Sequence, residues 1–276
     1  MLDVDFEDIN YANFFWHGSE LSLYEYACIS SFVKNGFRVR VFSYENLLLP
    51  DGAESADAST IMPASYLKKY TQQGQPENLP AFSDAFRYNL ISRIGGWWFD
   101  SDVFCLVSVE EFYYLMKNKH KKLSLGYESE NLINGAVIYL KNFEYIKYLL
   151  DELNKIGTHF RWGEIGPNLL TRMVKHFNLD SDIENSDIYY PVGWRDYRNL
   201  IDPNYNSWCK HKSKNSLSIH LWNEIRRIHR IPNNVLPPKG SFIHDIFITA
   251  CPNLSHMPSL PIDAVNKLGK DLSRQG

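Results

Sequence analysis

Apolar residues recur along this chain in two periods, and the way the periods alternate outlines an α/β fold. Tyr11 to His17, YANFFWH, is an aromatic-rich run of strand length ended by Gly18. Ser22 can cap a helix in which Leu23, Ala27, Ile29, Phe32 and Val33 recur at helical spacing, and Asn35-Gly36 stops it. Phe37 to Tyr44, FRVRVFSY, then alternates with the period of two that marks a strand. A β-α-β opening predicts parallel strands joined by a crossover helix.

Residues 45 to 80 read as loop, broken by Pro50, Asp51-Gly52, Pro63, Gly74 and Pro76. A second helix is expected from Pro80 or Ser83 to Ile94, ended by Gly95-Gly96. Trp97-Trp98-Phe99 is a short apolar strand that runs into Asp100-Ser101-Asp102, with Val103 to Leu106 continuing it. Ser108, with Glu110 and Glu111 in the first turn, starts another helix. Strands are expected at Leu123–Tyr127 and Ile133–Leu140, and helices at Phe143–Ile156 and from Gly166-Pro167 to His176. Ser218 to Trp222 reads as a late strand, and 262 to 273 as a last helix. The chain shows no internal repeat, so the expectation is one α/β domain with a mixed, mostly parallel sheet flanked by helices.

Composition narrows the classes. The 276 residues suffice for one large domain with a sizeable core. A formal charge of -3, with both signs interspersed, gives no support to nucleic-acid binding. The densest basic stretch, Lys210, His211, Lys212, Lys214, Arg226, Arg227, His229 and Arg230, reads as a solvated face or as a site for a diphosphate or an anionic membrane surface. Cys28, Cys105, Cys209 and Cys251 form no close pair, against a zinc site or a disulfide framework and in keeping with a reducing compartment. The N-terminal MLDVDFEDIN has no apolar signal core, and no apolar run reaches bilayer length. A cytoplasmic protein is expected, with peripheral contact at the inner face of a membrane left open.

Three constellations carry chemistry. In GGWWFDSDV (95–103), Asp100 and Asp102 stand at the end of an apolar strand, near the sheet edge where α/β folds bind ligands. Two carboxylates suit Mg2+ or Mn2+, with coordination positions open for phosphate oxygens. In SDAFRY (83–88), Asp84 and Arg87 share a helix face. They form either a surface ion pair or, because the helix feeds the Asp100 strand, contacts to hydroxyls or phosphate in the same cleft. In IHLWNE (219–224), strand alternation aims His220 and Trp222 to one side, with Arg226 and Arg227 following on a flap.

SDAFRYNLISRIGGWWFDSDV (83–103) resembles the sugar-binding region of glycosyltransferases with an Asp-X-Asp motif, the family of globotriaosylceramide synthase, α-1,4-N-acetylglucosaminyltransferase and many bacterial polysaccharide enzymes. The likeness extends to FFWHG (14–18), WGEIGPNLLTRMVK (162–175) and IHLWN (219–223). It implies a single GT-A-type nucleotide-sugar-binding domain over 1–276, with 223–276 as flap and tail. It also implies a UDP-sugar donor, Mn2+ or Mg2+, retention at the anomeric carbon, and a glycan or lipid-linked sugar as acceptor. Carried over residue by residue, Asp102 matches the direct metal ligand and Asp100 the ribose and metal-shell carboxylate. Asp84 and Arg87 match donor-sugar contacts, Trp16 the base-stacking aromatic, Trp222 a diphosphate contact, and Asn134 an acceptor-side Asn. His220 is expected to complete the metal shell, which favours manganese, since imidazole suits it better than magnesium.

Two rivals share parts of this pattern. A haloacid-dehalogenase-type phosphohydrolase also places D-x-D after a strand, but near the N-terminus and with Thr or Val where this chain has Phe104. A non-catalytic sugar-binding protein of the same fold would not need Asp84, Arg87, Asp100 and Asp102 all intact.

Overall fold

The computed structural model describes residues 9–72, 78–118, 122–264 and 267. Among them six strands form one mixed sheet: β1 (Tyr11–Phe15), β2 (Arg38–Ser43), β3 (Ala53–Asp57), β5 (Trp97–Phe99), β7 (Leu123–Ser129) and β8 (Leu132–Leu140), in the order β3-β2-β1-β5-β8-β7. The β3–β2, β2–β1 and β1–β5 pairings are parallel, and β8 runs antiparallel to both β5 and β7. The expected mixed, mostly parallel sheet flanked by helices is what forms.

Local chemistry sets the helix ends. Helix α1 (Leu23–Lys34) begins with a reciprocal cap: the Ser22 side chain accepts from the first turn while Glu25 reaches back to the Ser22 backbone N–H. Helix α2 (Leu79–Ile94) starts slightly earlier than expected, because Asn78 caps the Ala81 N–H, and it ends at Gly95 with φ 66°. Helices α3 (Val109–Asn118), α4 (Phe143–Ile156) and α5 (Pro167–His176) stand where the periodicity puts them. Four short helices follow: α6 (Ser186–Tyr189), α7 (Tyr197–Ile201), α8 (Asn206–Lys212) and α9 (Asn223–Ile228). Helix α10 (Phe242–Ala250) comes after them.

Three expectations need correction. The loop-rich stretch contains β3, whose AESAD sequence lies at the sheet edge and is mostly exposed, so it carries no apolar alternation to read. The same stretch holds β4 (Thr71–Gln72), which pairs with β9 (His159–Phe160), while Gly74 and Pro76 lie outside the described residues. Strand β6 (Val103–Cys105) does not prolong β5. The chain turns at Asp100, whose carbonyl accepts the Val103 N–H, and β6 leaves the main sheet to pair with β10 (Ser218–His220). The late strand stops at His220, because Trp222 takes a left-handed φ of 51°. Of the helix expected over 262–273, residues 262–264 are helical and most of the remainder lies outside the described residues.

Side-chain alternation then divides the core. Phe14, Trp97 and Phe99 join the cluster on the α1 face, whereas Phe15 and Trp98 join the cluster on the α2 face. Both faces of the central strands are covered, as a parallel α/β sheet requires.

Candidate functional site

Period-two geometry fixes the first carboxylate. Asp100 follows Phe99 and so projects to the Trp98 side, the side covered by α2. Its Oδ1 accepts the Trp98 indole N–H at 2.7 Å and stands 3.1 Å from Arg87 Nη2. On α2, Asp84 lies one turn before Arg87, and its Oδ1 is 3.2 Å from the same Nη2. Arg87 Nη1 also donates to the Gly135 carbonyl at 2.6 Å. One buried guanidinium therefore joins Asp84, Asp100 and the backbone of β8, which rules out the exposed ion pair as an account of Asp84 and Arg87. The planar donor fork of arginine suits such a bridge.

The second carboxylate meets a distant segment. In the antiparallel β6–β10 pair Val103 faces His220, so His220 arrives beside Asp102. Its Nε2 is 3.0 Å from Asp102 Oδ1, and Asp102 Oδ2 accepts the Asn223 backbone N–H at 2.8 Å. The Asp102 carbonyl further accepts the Leu221 N–H. Asn223 is held in turn by Glu25 through its side-chain amide.

Charge compensation differs along this line of groups. Burial pushes Asp84 up to about 6, with Arg87 opposing. Burial also raises Asp100, again against the pull of Arg87. At Asp102 burial acts in the same sense, but the charge and hydrogen bond of His220 and the Asn223 N–H outweigh it and hold the carboxyl below its ordinary range. Burial would lower the His220 imidazole, yet Asp102 and Asp100 raise it.

Asp100, Asp102 and His220 each offer a ligand atom within 4.8 Å of the others. Two carboxylates and an imidazole fit manganese, and magnesium less well. His220 Nδ1 is buried without a hydrogen-bond partner, an orphan that ligation or an adjoining ligand would satisfy. Asp100, whose side chain is 26% exposed, opens this cluster to solvent.

The remaining expected residues take different positions. Trp16 follows the last residue of β1 and is half-buried, with its indole N–H donated to the Glu20 carbonyl at 2.9 Å. The parallel β1–β5 pairing, in which Asn13 faces Trp98, puts Trp16 just past the carboxyl end of β1, at the same edge of the sheet as the end of β5. Trp222 does reach His220, at 4.1 Å between ring centroids, but through its left-handed turn and not through strand alternation. Its indole N–H is donated to the Val192 carbonyl, so the ring is buried as a wall behind His220. Asn134 is buried on β8, its amide donated to Glu128 Oε2 at 2.8 Å and its oxygen accepting the Ala136 N–H. Arg226 turns inward over the Tyr24 ring, and Arg227 pairs with Glu224 at the surface.

Sequence reasoning missed two glycines. A Cβ at Gly166 would overlap the Asp84 carboxylate, and one at Gly135 would overlap Arg87 Nη1. A glycine inside the apolar strand INGAVIYL is the signal for such close approach. Asn223, which backs Asp102, was read only as part of IHLWNE.

A family model described as "Alpha 1,4-glycosyltransferase conserved region" matches residues 143–257, the part that carries Gly166, His220 and Trp222. Lactosylceramide 4-alpha-galactosyltransferase of Mus musculus is 23% identical over 173 residues, covering 58% of this chain and 46% of that protein. Alpha-1,4-N-acetylglucosaminyltransferase of Homo sapiens is 25% identical over 184 residues, covering 62% and 49%. The chain spans about half the length of these curated relatives. Among solved structures, the WbbM bifunctional glycosyltransferase aligns with a TM-score of 0.46 at 10% identity over 97% of this chain and 53% of that one. PaToxG glycosyltransferase aligns at 0.42 and 15% over 63% and 72%. The resemblance to Asp-X-Asp α-1,4-glycosyltransferases read from the sequence is thus borne out by the family match and the curated relatives.

Proposed function

We propose that this protein transfers a hexose from a UDP-sugar to a sugar on a glycan or lipid acceptor, with retention and with a divalent ion at Asp100, Asp102 and His220. The observation that carries the reading is the meeting of Asp102 and His220, 118 residues apart in sequence, beside a part-exposed Asp100. A transferase is supported by the relatives, and the metal by the donor set. Retention is supported by the "alpha" linkage in the relatives' names, since common UDP-hexoses are themselves α-linked.

Roles follow from position. Asp100, Asp102 and His220 would hold the ion, which when bound supplies charge neutralisation for a diphosphate leaving group. Arg87, fixed by Asp84, Asp100 and Gly135, sets a permanent cation beside that position, suited to sugar hydroxyls or phosphate. Asp84 accepts a donor-sugar hydroxyl, Trp16 stacks on uracil, and Asn134 orients Glu128 on the acceptor side. Trp222 keeps water from the back of His220 and contacts the diphosphate only if its bond to Val192 opens. A single GT-A-type domain with residues 223–276 as flap and tail belongs to the same proposal. So does a cytoplasmic location with peripheral membrane contact, which is supported by the exposed Lys210, His211, Lys212 and Lys214.

The test is a thermal-shift screen of UDP-sugars with and without Mn2+, because a ligand that binds only the folded state raises the melting temperature. A manganese-dependent rise with at least one UDP-hexose is expected. Equal shifts with and without the ion, or none, would remove the reading.

A further inference from the structure

Trp162 is 69% exposed, an unusual state for the largest apolar side chain, and it stands beside a pocket of about 180 Å³. Asp84, Ala81, Asn78 and Phe160 line the same pocket. Among the residues lining it are neither Arg87 nor Asp100, Asp102 and His220. Asp84, which shares the Arg87 guanidinium with Asp100, links the pocket to the metal centre.

The segment that carries Trp162 is braced. Gly163 turns at φ 70°, the Arg161 N–H donates to Glu164 Oε2, and the Asn168 N–H donates to the Gly163 carbonyl. The Tyr88 hydroxyl of α2 donates to the Ile165 carbonyl at 3.0 Å. The absence of a side chain on Gly166 lets Asp84 come up against the start of α5. An exposed indole on a braced segment thus lines the same pocket as a largely buried carboxylate. A pyranose ring has the matching chemistry: an apolar face of C–H groups and a rim of hydroxyl donors.

We propose that this pocket receives the terminal hexopyranose of the acceptor, with Trp162 against the ring face and Asp84 accepting a hydroxyl hydrogen. The assignment rests on the transferase reading of the metal centre. A donor sugar is one unit from its diphosphate and is accommodated beside Arg87. Asp84 touches Arg87 and also lines the pocket, so a ring seated in the pocket would neighbour a ring held beside Arg87. Its openness to solvent lets a longer glycan or a lipid chain continue outward.

The experiment is an NMR titration of the 15N-labelled full chain, with the Trp162 indole N–H identified by its loss in Trp162→Phe. Methyl β-galactopyranoside, methyl β-glucopyranoside and the methyl glycoside of N-acetylglucosamine are added at millimolar concentration, without metal or nucleotide. At least one should shift the Trp162 resonance, and Trp162→Ala should weaken that glycoside about tenfold, the factor that 1.4 kcal/mol represents. UDP affinity in the presence of Mn2+ should stay unchanged in Trp162→Ala. No shift from any of the glycosides would overturn the proposal, and so would a loss of UDP-sugar affinity with glycoside binding unchanged. Failure of the transferase reading would appear separately, as wild-type protein that binds no UDP with Mn2+.

Discussion

The two walls of the site compensate their carboxylates in different ways. On the wall built by α2 and β5, Asp84 and Asp100 share the guanidinium of Arg87, a cation that does not leave at any ordinary pH. On the wall built by the β6–β10 pair, Asp102 is compensated by His220, whose positive charge is only a proton. A fixed cation is structural as well as functional. An exchangeable one marks the place where a metal ion can enter, because a divalent ion can replace the proton and satisfy the same carboxylates. The comparison predicts that loss of the Arg87 cation shows first in stability, and loss of Asp102 or His220 in metal-dependent chemistry, with Asp100 belonging to both.

The largest expected effect is on the second wall. Asp102→Asn keeps the shape but removes the charge and one of the two acceptor oxygens, and turnover should fall about a thousandfold or more. Activity near wild type in a folded Asp102→Asn protein would erase the difference between the walls. On the first wall, Arg87→Ala should leave two carboxylates and the Gly135 carbonyl without their partner and cost about 3 kcal/mol, read as a lowered denaturant midpoint. Arg87→Lys should recover little, since one ammonium does not reproduce the fork. A stability unchanged in Arg87→Ala would show that this wall is not held by its cation.

A pH series sharpens the comparison further. Asp84 is raised to about 6 in the folded chain from an ordinary 3.8, so the native state binds more protons than the unfolded one between these values. Stability conferred by the protonated carboxyl is present at low pH and lost as pH rises through about 6. Asp84→Asn lacks this loss, so its stability relative to wild type should grow by about 2 kcal/mol from pH 4 to pH 7. A constant difference across that range would contradict the burial of Asp84. The smallest effect is expected at Trp16, outside both walls: Trp16→Leu should weaken UDP about tenfold by loss of base stacking. Unaltered UDP affinity would return Trp16 to the core.

The first wall was legible in the sequence because it is local. Asp84, Arg87 and Asp100 lie within one helix and the strand that follows it, so helical and strand periodicity suffice to bring them together. The second wall was legible as residue types only. His220 was expected beside the metal, but the β6–β10 pairing that delivers it joins segments more than 100 residues apart, and no periodicity encodes such a meeting. Trp222 reached its expected neighbour by a left-handed turn, which tryptophan rarely adopts. Gly135 and Gly166 were opaque for a similar reason, since the need for a missing Cβ depends on what another segment brings within reach. The polar edge strand β3 escaped notice because an exposed edge buries too little to leave an apolar pattern.

The central claim is that Asp100, Asp102 and His220 hold one divalent ion, and electron paramagnetic resonance of Mn2+ tests it most directly. Titration of the protein with Mn2+ in the presence of UDP should remove one equivalent of the free-ion signal in wild type. Uptake should weaken in His220→Ala and disappear in Asp102→Asn, with both variants folded. Wild-type protein that leaves the free-ion signal untouched, or an Asp102→Asn protein that takes up the ion as tightly as wild type, would contradict the account.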